Sequence, residues 1–283
     1  MVMGHNSWES YANFASWNVM LDIQPEQGSR ILMQCAPGYI WSGSDFFVTS
    51  AGLVGCETSL YGFSGFDEAQ SPTFQRVRKA MQYADSIDRW VEILNEQNNG
   101  GYANSWLLGD INTGEIARFE QGMLNVSFEK ITDGYYSGFN AATSPLVQQE
   151  CGGWSADSPA NFSGARRIRW EQLMEEYKGM IDVASAEKML GEHFDAYLEV
   201  EEPSQRTLCG HYTYQEAPSG AIDGKVVDSA LAGKMTIQAR WGRPCGIPIV
   251  AEDLLLNPQF EWLRGFLPTL LPQVWTTLGA GVP

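Results

Sequence analysis

Histidine is scarce in this 283-residue chain, and the first of only three, His5, stands in the run Gly4-His5-Asn6-Ser7-Trp8. An imidazole titrates near neutrality, so His5 can serve as a general base or orient a nucleophile; a satisfied structural histidine fits the same run. A second segment, Gly52-Leu53-Val54-Gly55-Cys56-Glu57-Thr58, has glycines where a strand lets other backbone approach closely. Glu57 and Thr58 fall on opposite faces of such a strand, so at most one should point into a given cleft. Ordinary sheet packing explains the same glycines. In a third segment, Tyr135-Tyr136-Ser137-Gly138-Phe139-Asn140, an Asn after a strand end can offer its amide to a developing oxyanion, although Asn is also a routine turn residue.

Regular elements must hold these segments in place. Short runs rich in β-branched, aromatic and Leu/Met residues predict strands at 15–23, 30–36, 46–49 and 53–59, separated by Pro25, Gly28, Pro37-Gly38 and Gly43. Apolar positions at helical spacing predict a helix over 72–84, and Asp85 or Ser86 caps a second one running to about Glu96. Strands follow at 105–110, 115–121, 126–130 and 134–139, with a hairpin turn at Asn112-Thr113-Gly114. Residues 141–164 read as an irregular surface segment, 165–177 and 185–193 as helices, and 207–214, 224–228 and 235–239 as strands. Two blocks of sheet around a helix pair predict an α+β layered domain over 1–245, with a Pro-rich, apolar tail over 246–283 docked on it.

Composition narrows the function. With 44% hydrophobic and 12% aromatic residues the chain can build a packed core, and a formal charge of −16 excludes nucleic acid as the main partner, because phosphate binding needs clustered Lys and Arg. No apolar run is long enough for a membrane span. The five cysteines, Cys35, Cys56, Cys151, Cys209 and Cys245, form no CxxC pair and read mostly as buried small hydrophobes. His5, His193 and His211 are not spaced as metal ligands, and the acidic residues form no calcium loop, so no metal or other cofactor is expected.

The order of the segments says more than any of them singly. GHNSW, then DFFVTSAGLVGCETSLYGF, a SWLLGDINTGEIARFE strand pair and GYYSGFN resemble, in that order, the phospholipase B-like proteins; SQRTLCGHY and RRIRWEQLMEEY resemble bacterial autoproteolytic acyltransferases and hydrolases of the isopenicillin N acyltransferase-like kind. The similarity covers most of residues 1–245. It implies the αββα sandwich of the N-terminal-nucleophile (Ntn) hydrolases, in which a Cys freed by self-cleavage attacks an amide with its own α-amine as base. Carried over by motif, His5 lies beside that Cys, Asn140 is an oxyanion donor, Thr58 a second polar group and Arg206 a charge partner in the RTLCGH segment. Asn6, Trp8 and Tyr136 line the substrate pocket, and His211 fits a structural role equally well.

The resemblance also implies a nucleophile roughly 12–18 residues before His5, a strand and a turn away, whereas four residues precede it. The expectation is a chain lacking its first strand and its catalytic Cys, inactive as it stands. Cys56 is a poor substitute: it has no free amine, and Glu57 beside it raises a thiol pKa. The intact protein is expected to hydrolyse or transfer a linear N-acyl group from a small-molecule substrate, outside the cytoplasm by analogy with its relatives. A lipid-ester hydrolase and a non-catalytic binding relative are the alternatives.

Overall fold

The structure is a computed structural model that describes residues 1–14, 18–43, 45–214 and 217–279. Its centre is a seven-stranded antiparallel sheet in sequence order, β3 (Val19–Ile23), β4 (Ile31–Cys35), β5 (Phe46–Thr49), β6 (Leu53–Ser59), β7 (Asn104–Asp110), β8 (Ile116–Gln121) and β9 (Val126–Ile131). One face carries the helix pair α2 (Thr73–Tyr83) and α3 (Ile87–Asn95). Ser86 caps α3 by accepting the Arg89 N–H at 3.3 Å. Trp90 of α3 lies nearly parallel to Phe47 at 6.1 Å between ring centroids and tilted against Trp106 at 5.0 Å, so three aromatic side chains weld helix to sheet.

The other face packs on a second sheet, in the order β1 (Val2–His5), β14 (Asp223–Asp228), β15 (Thr236–Trp241) and β16 (Thr276–Gly279). Met3, Phe46, Val48, Val54, Val227 and Ile237 fill the space between the sheets. Strand alternation then decides what faces where: Val227 points into the sandwich while Val226 meets Leu190 of α6 (Val183–Leu190) on the outside. Helix α5 (Phe162–Glu176) lies against α6 through Leu173 and Met189. Helix pair, sheet, sheet and helices form the four layers of an αββα sandwich, the α+β arrangement expected from the sequence.

Smaller elements close the ends. A three-stranded sheet joins β2 (Trp8–Ser10), β13 (Ala217–Ala221) and β12 (His211–Tyr214), and β10 (Phe194–Asp195) pairs with β11 (Val200–Glu201). Short helices are α1 (Tyr11–Phe14), α4 (Pro145–Glu150), α7 (Ser229–Ala232) and α8 (Ala251–Leu254). In the tail, Phe260, Leu263 and Leu267 pack around Tyr11 and Ile222.

Several expectations need correction. Residues 134–139 form no strand: the Thr58 hydroxyl and the Ser59 carbonyl are met by the backbone N–H and side chain of Asn140, so no ladder develops there. The segment 141–164 is not irregular throughout, since α4 starts with Pro145 in its first turn and its Glu150 accepts the backbone N–H groups of Met123, Leu124 and Asn125. Only His211–Tyr214 of 207–214 is strand, and β13, a run without β-branched residues, carries no strand signal in its sequence. The start of the predicted strand 15–23, residues 15–17, lies outside the described residues.

Trp90 is fully buried, yet its indole N–H has no hydrogen-bond partner among the described residues. Trp90→Ala should therefore cost about 3–5 kcal/mol in urea denaturation, whereas Trp90→Phe, which keeps most of the ring and removes an unsatisfied donor, should cost less than about 1.5 kcal/mol.

Candidate active site

A cavity of about 570 Å³ opens where β1 and β6 run out at one end of the sandwich. It exists because β6 outlasts its neighbour: β5 pairs with β6 only as far as Phe46 opposite Cys56, whereas β7 follows it to Ser59. Around the free end, both Glu57 and Thr58 line the cavity. The strict alternation expected for that strand fails because space wraps around its end instead of lying against one face.

His5 ends β1 and faces the interior beside Phe46, 6.4 Å between ring centroids. Its Nε2 lies 3.1 Å from the Glu57 carbonyl oxygen, which fixes a proton there; Nδ1 is then a bare lone pair, buried and without a partner among the described residues. Burial first, and the charge of Lys225 second, hold His5 well below its ordinary pKa, so the ring is neutral. Beside it, Thr58 Oγ1 accepts the Asn140 backbone N–H at 3.2 Å, and Asn140 Nδ2 donates to the Ser59 carbonyl at 2.8 Å. One N–H of that amide is thus used to hold the residue, whose φ of +60° a non-glycine rarely adopts, and the second remains for a ligand.

Behind His5 lies a carboxyl pair. Burial pushes Glu57 up to about 7, against hydrogen bonds from Asp45 and Tyr102 that lower it. Asp45, at the left-handed φ of 64°, is raised well above the carboxylate range by burial and then by the Glu57 charge. Two acidic groups this close hold a proton between them. The Tyr102 hydroxyl donates to Glu57 Oε1 at 2.8 Å and is kept protonated by burial and by the same two acids.

The opposite wall is cationic and aromatic. The buried guanidinium of Arg166, on α5, lies 4.5 Å from the centre of the Trp8 ring and 4.9 Å from that of Phe162, and has no carboxylate partner among the described residues. Burial lowers it to about 10, which leaves it charged at neutral pH. Trp8 itself packs the outer edge of its six-membered ring against Gly210, where any Cβ would collide with the indole. Beyond Arg166 the cavity becomes apolar, lined by Trp170, Met174, Ile181, Met189 and Leu208 between α5 and α6.

Of the residues singled out from sequence, His5, Asn6, Trp8, Thr58, Tyr136 and Asn140 all line this one cavity. Asn6 spends its Nδ2 on the carbonyls of Leu190 and Leu208, at 2.7 and 3.1 Å, so it braces the wall. Tyr136 lies at the rim under the Arg118 guanidinium, 5.2 Å from the ring centre. Arg206 does not belong to the cavity: it is held 2.7 Å from Asp195, whose carboxylate also accepts from Tyr197, Leu198 and Ser204. That ion pair ties the start of the segment leading to β12 to the end of β10. Sequence reading missed Asp45, Tyr102 and Arg166, although Asp45 opens the DFFVTSAGLVGCETSLYGF segment and Arg166 the RRIRWEQLMEEY helix; neither was weighed for its charge.

The family model for Phospholipase B matches residues 1–142, half of the chain, including His5, Thr58 and Asn140. The chain belongs to the phospholipase B family. It is 26% identical to phospholipase B-like 1 of Homo sapiens over 97% of this chain and 54% of that protein, and 25% identical to phospholipase-B 81 of Drysdalia coronoides over 87% and 50%. This phospholipase B-family chain therefore spans about half the length of the curated relatives it matches. Among solved structures, a mutant conjugated bile acid hydrolase from Clostridium perfringens superposes over 84% of each chain with a TM-score of 0.48 and 11% identity.

The carboxyl pair sets a pH dependence. An acid that keeps its proton to higher pH in the fold than in the unfolded chain makes the native state bind more protons in between, so stability falls as pH rises from about 4.5 to about 7. The slope approaches about 1.4 kcal/mol per pH unit for each proton retained. Glu57→Gln should flatten that fall in urea midpoints taken across the window; an unchanged slope would mean that Glu57 is ionised in the fold throughout.

Proposed function

We propose that this site belongs to a cysteine-type Ntn hydrolase or acyltransferase acting on a linear N-acyl bond, with the thiol supplied as a chain-terminal Cys from residues upstream of Met1. The observation that carries the reading is His5, neutral, with an Nδ1 that has no partner among the described residues, in the same cavity as the spare amide N–H of Asn140. A lone pair that can hold a thiol or ammonium proton and a donor for an oxyanion are the two groups acyl transfer needs around its nucleophile. Strand β1 is the edge of its sheet among the described residues, which leaves a row of backbone groups along Val2–His5 on which a preceding strand can pair.

In this reading the thiolate attacks the acyl carbon and the oxygen takes the charge, stabilised by Asn140 Nδ2. The C–N bond then breaks as the leaving amine takes a proton from the terminal ammonium or His5, leaving a thioester. Water, or an acceptor amine in a transferase, attacks the thioester and regenerates the thiol. The acyl chain occupies the apolar end between α5 and α6, and Arg166 is available to an anionic group at the polar end.

A second reading, a lysophospholipid or other lipid-ester hydrolase, is favoured by the family and by the same guanidinium, whose Nε donates to the Phe162 carbonyl but which has no carboxylate partner among the described residues and suits a phosphate as well as a carboxylate. N-acyl amino acids assayed against lysophospholipids separate the two. Residues 1–283 alone are expected to bind N-acyl amino acids, read by tryptophan fluorescence, without turning them over. A form extended upstream to its terminal Cys is expected to hydrolyse them, with Asn140→Ala lowering kcat by about 10²–10³. Turnover by 1–283 that vanishes in Cys56→Ala would overturn the assignment of the nucleophile, and turnover of lysophospholipids alone by the extended form would replace amide with ester.

A further inference from the structure

His193, Cys209, His211 and Cys245, scattered along the sequence, present four ligand atoms that all lie within 4.8 Å of one another. His193 comes from the turn after α6, Cys209 and His211 from the entry to β12, and Cys245 from the turn after β15. His211 Nε2 stands 3.6 Å from both sulfurs. Zinc bonds of about 2.3 Å to sulfur and 2.0–2.1 Å to nitrogen give a tetrahedron whose sulfur–nitrogen edges are about 3.5 Å.

Three further observations point to a cation. The two imidazoles meet edge to face with centroids 4.9 Å apart, and His193 Nε2 is buried with no hydrogen-bond partner among the described residues. Both cysteines are free thiols, and Cys209 is fully buried. The Ile247 N–H donates to Cys245 Sγ at 3.4 Å, the kind of backbone contact that steadies a thiolate ligand. The Cys209 N–H is held by the Glu192 carbonyl at 2.9 Å, so the segments that bring the donors together are themselves joined.

We propose that this cluster of two cysteines and two histidines is a closed, structural zinc site. Two thiolates and two neutral imidazoles fill a tetrahedron and leave no position for water, so the ion takes no part in hydrolysis. Binding releases the thiol protons to solvent and leaves a site of zero net charge, suited to a buried place. Its position gives it work in the fold. Leu190 and Leu208, whose carbonyls are clamped by Asn6 and whose side chains line the cavity, lie three residues before His193 and one before Cys209. Gly210, between the ligands Cys209 and His211, is the plate against which Trp8 rests. The ion would pin α6, β12 and the turn after β15 to one point and make that wall rigid.

Purified, reduced protein is expected to contain one zinc per chain by elemental mass spectrometry. After removal by a chelator it should bind one equivalent of Co²⁺ with the intense visible absorption of a tetrahedral sulfur-ligated ion, which Zn²⁺ then abolishes. Removal should lower the melting temperature, and re-addition of zinc should restore it. Cys245→Ser and His193→Gln should each weaken Co²⁺ binding by more than about 100-fold, beyond the loss caused by disturbing an outer-shell contact. If a variant does not fold, competition between the natural chain and a chromophoric chelator measures the affinity instead. Two outcomes would sink the proposal: no uptake of Zn²⁺ or Co²⁺ by the reduced protein, including one that carries a Cys209–Cys245 disulfide until reduction, or variants that bind as tightly as the natural chain.

Discussion

A lysine buried between two sheets governs this structure. Lys225 is 1% exposed, and its ammonium is held by Asp223 and by the Ser7 hydroxyl, both at 2.6 Å. Asp223 in turn accepts from the Ser7 backbone N–H, from Asn18 and from Gln34. The network thereby reaches from β14 to the β1–β2 turn, to the start of β3 and to β4, which belong to both sheets. A buried ion pair contributes little net stability and is costly to break. What it specifies is register: a slip of one residue along β14 would turn Asp223 and Lys225 outward and leave the amides of Asn18 and Gln34 facing apolar space.

The electrostatics of the cavity follow from that one charge. Lys225 is among the causes that keep His5 neutral, and the same charge works against the rise in Asp45 that burial and Glu57 produce. With Asp223 balancing Lys225, and Asp45 and Glu57 holding a proton between them, the four ionisable groups behind His5 leave one negative charge, shared by the two acids, instead of two. Ionised carboxylates beside His5 would favour the imidazolium and remove the Nδ1 lone pair. The proton shared by the acids and the neutrality of the base are one arrangement.

Local pattern revealed the layers and some of the site. The helix pair was legible because apolar spacing and the Ser86 cap act within a few residues, and most strands of the large sheet because their β-branched and aromatic runs end at Gly and Pro. His5, Thr58 and Asn140 were found through the order of family motifs, since each is individually an ordinary residue. Asp45, Tyr102 and Arg166 were missed because their roles arise from contacts with residues distant in sequence. A signal did exist for Lys225: Asp223-Gly224-Lys225 puts opposite charges on one face of a strand otherwise spelled Val-Val, which suits a buried pair. Cys209-Gly210-His211 was a similar clue, since two donors separated by one residue at the start of a strand point the same way. Judging the three histidines by their mutual spacing hid it, because half the cluster is cysteine.

The cavity is polar at one end and apolar at the other for reasons set by the sandwich. Where β6 overhangs β5, strand ends leave carbonyl groups that side chains such as Asn140 and His5 satisfy, so polar side chains collect there. Between α5 and α6, Leu173 meets Met189, and on the proposed function an acyl chain would lie against Trp170, Met174 and Met189. Arg166 stands at the boundary, its charge spread over two aromatic faces instead of neutralised by an acid. Its Nε donates to the Phe162 carbonyl at 3.0 Å, and a buried guanidinium with no carboxylate partner among the described residues is costly unless an anion completes it. On the function proposed above, that cost would favour an amphiphile with an anionic group near its acyl linkage, amide or ester alike; choice between them would come from the nucleophile and from the group that leaves.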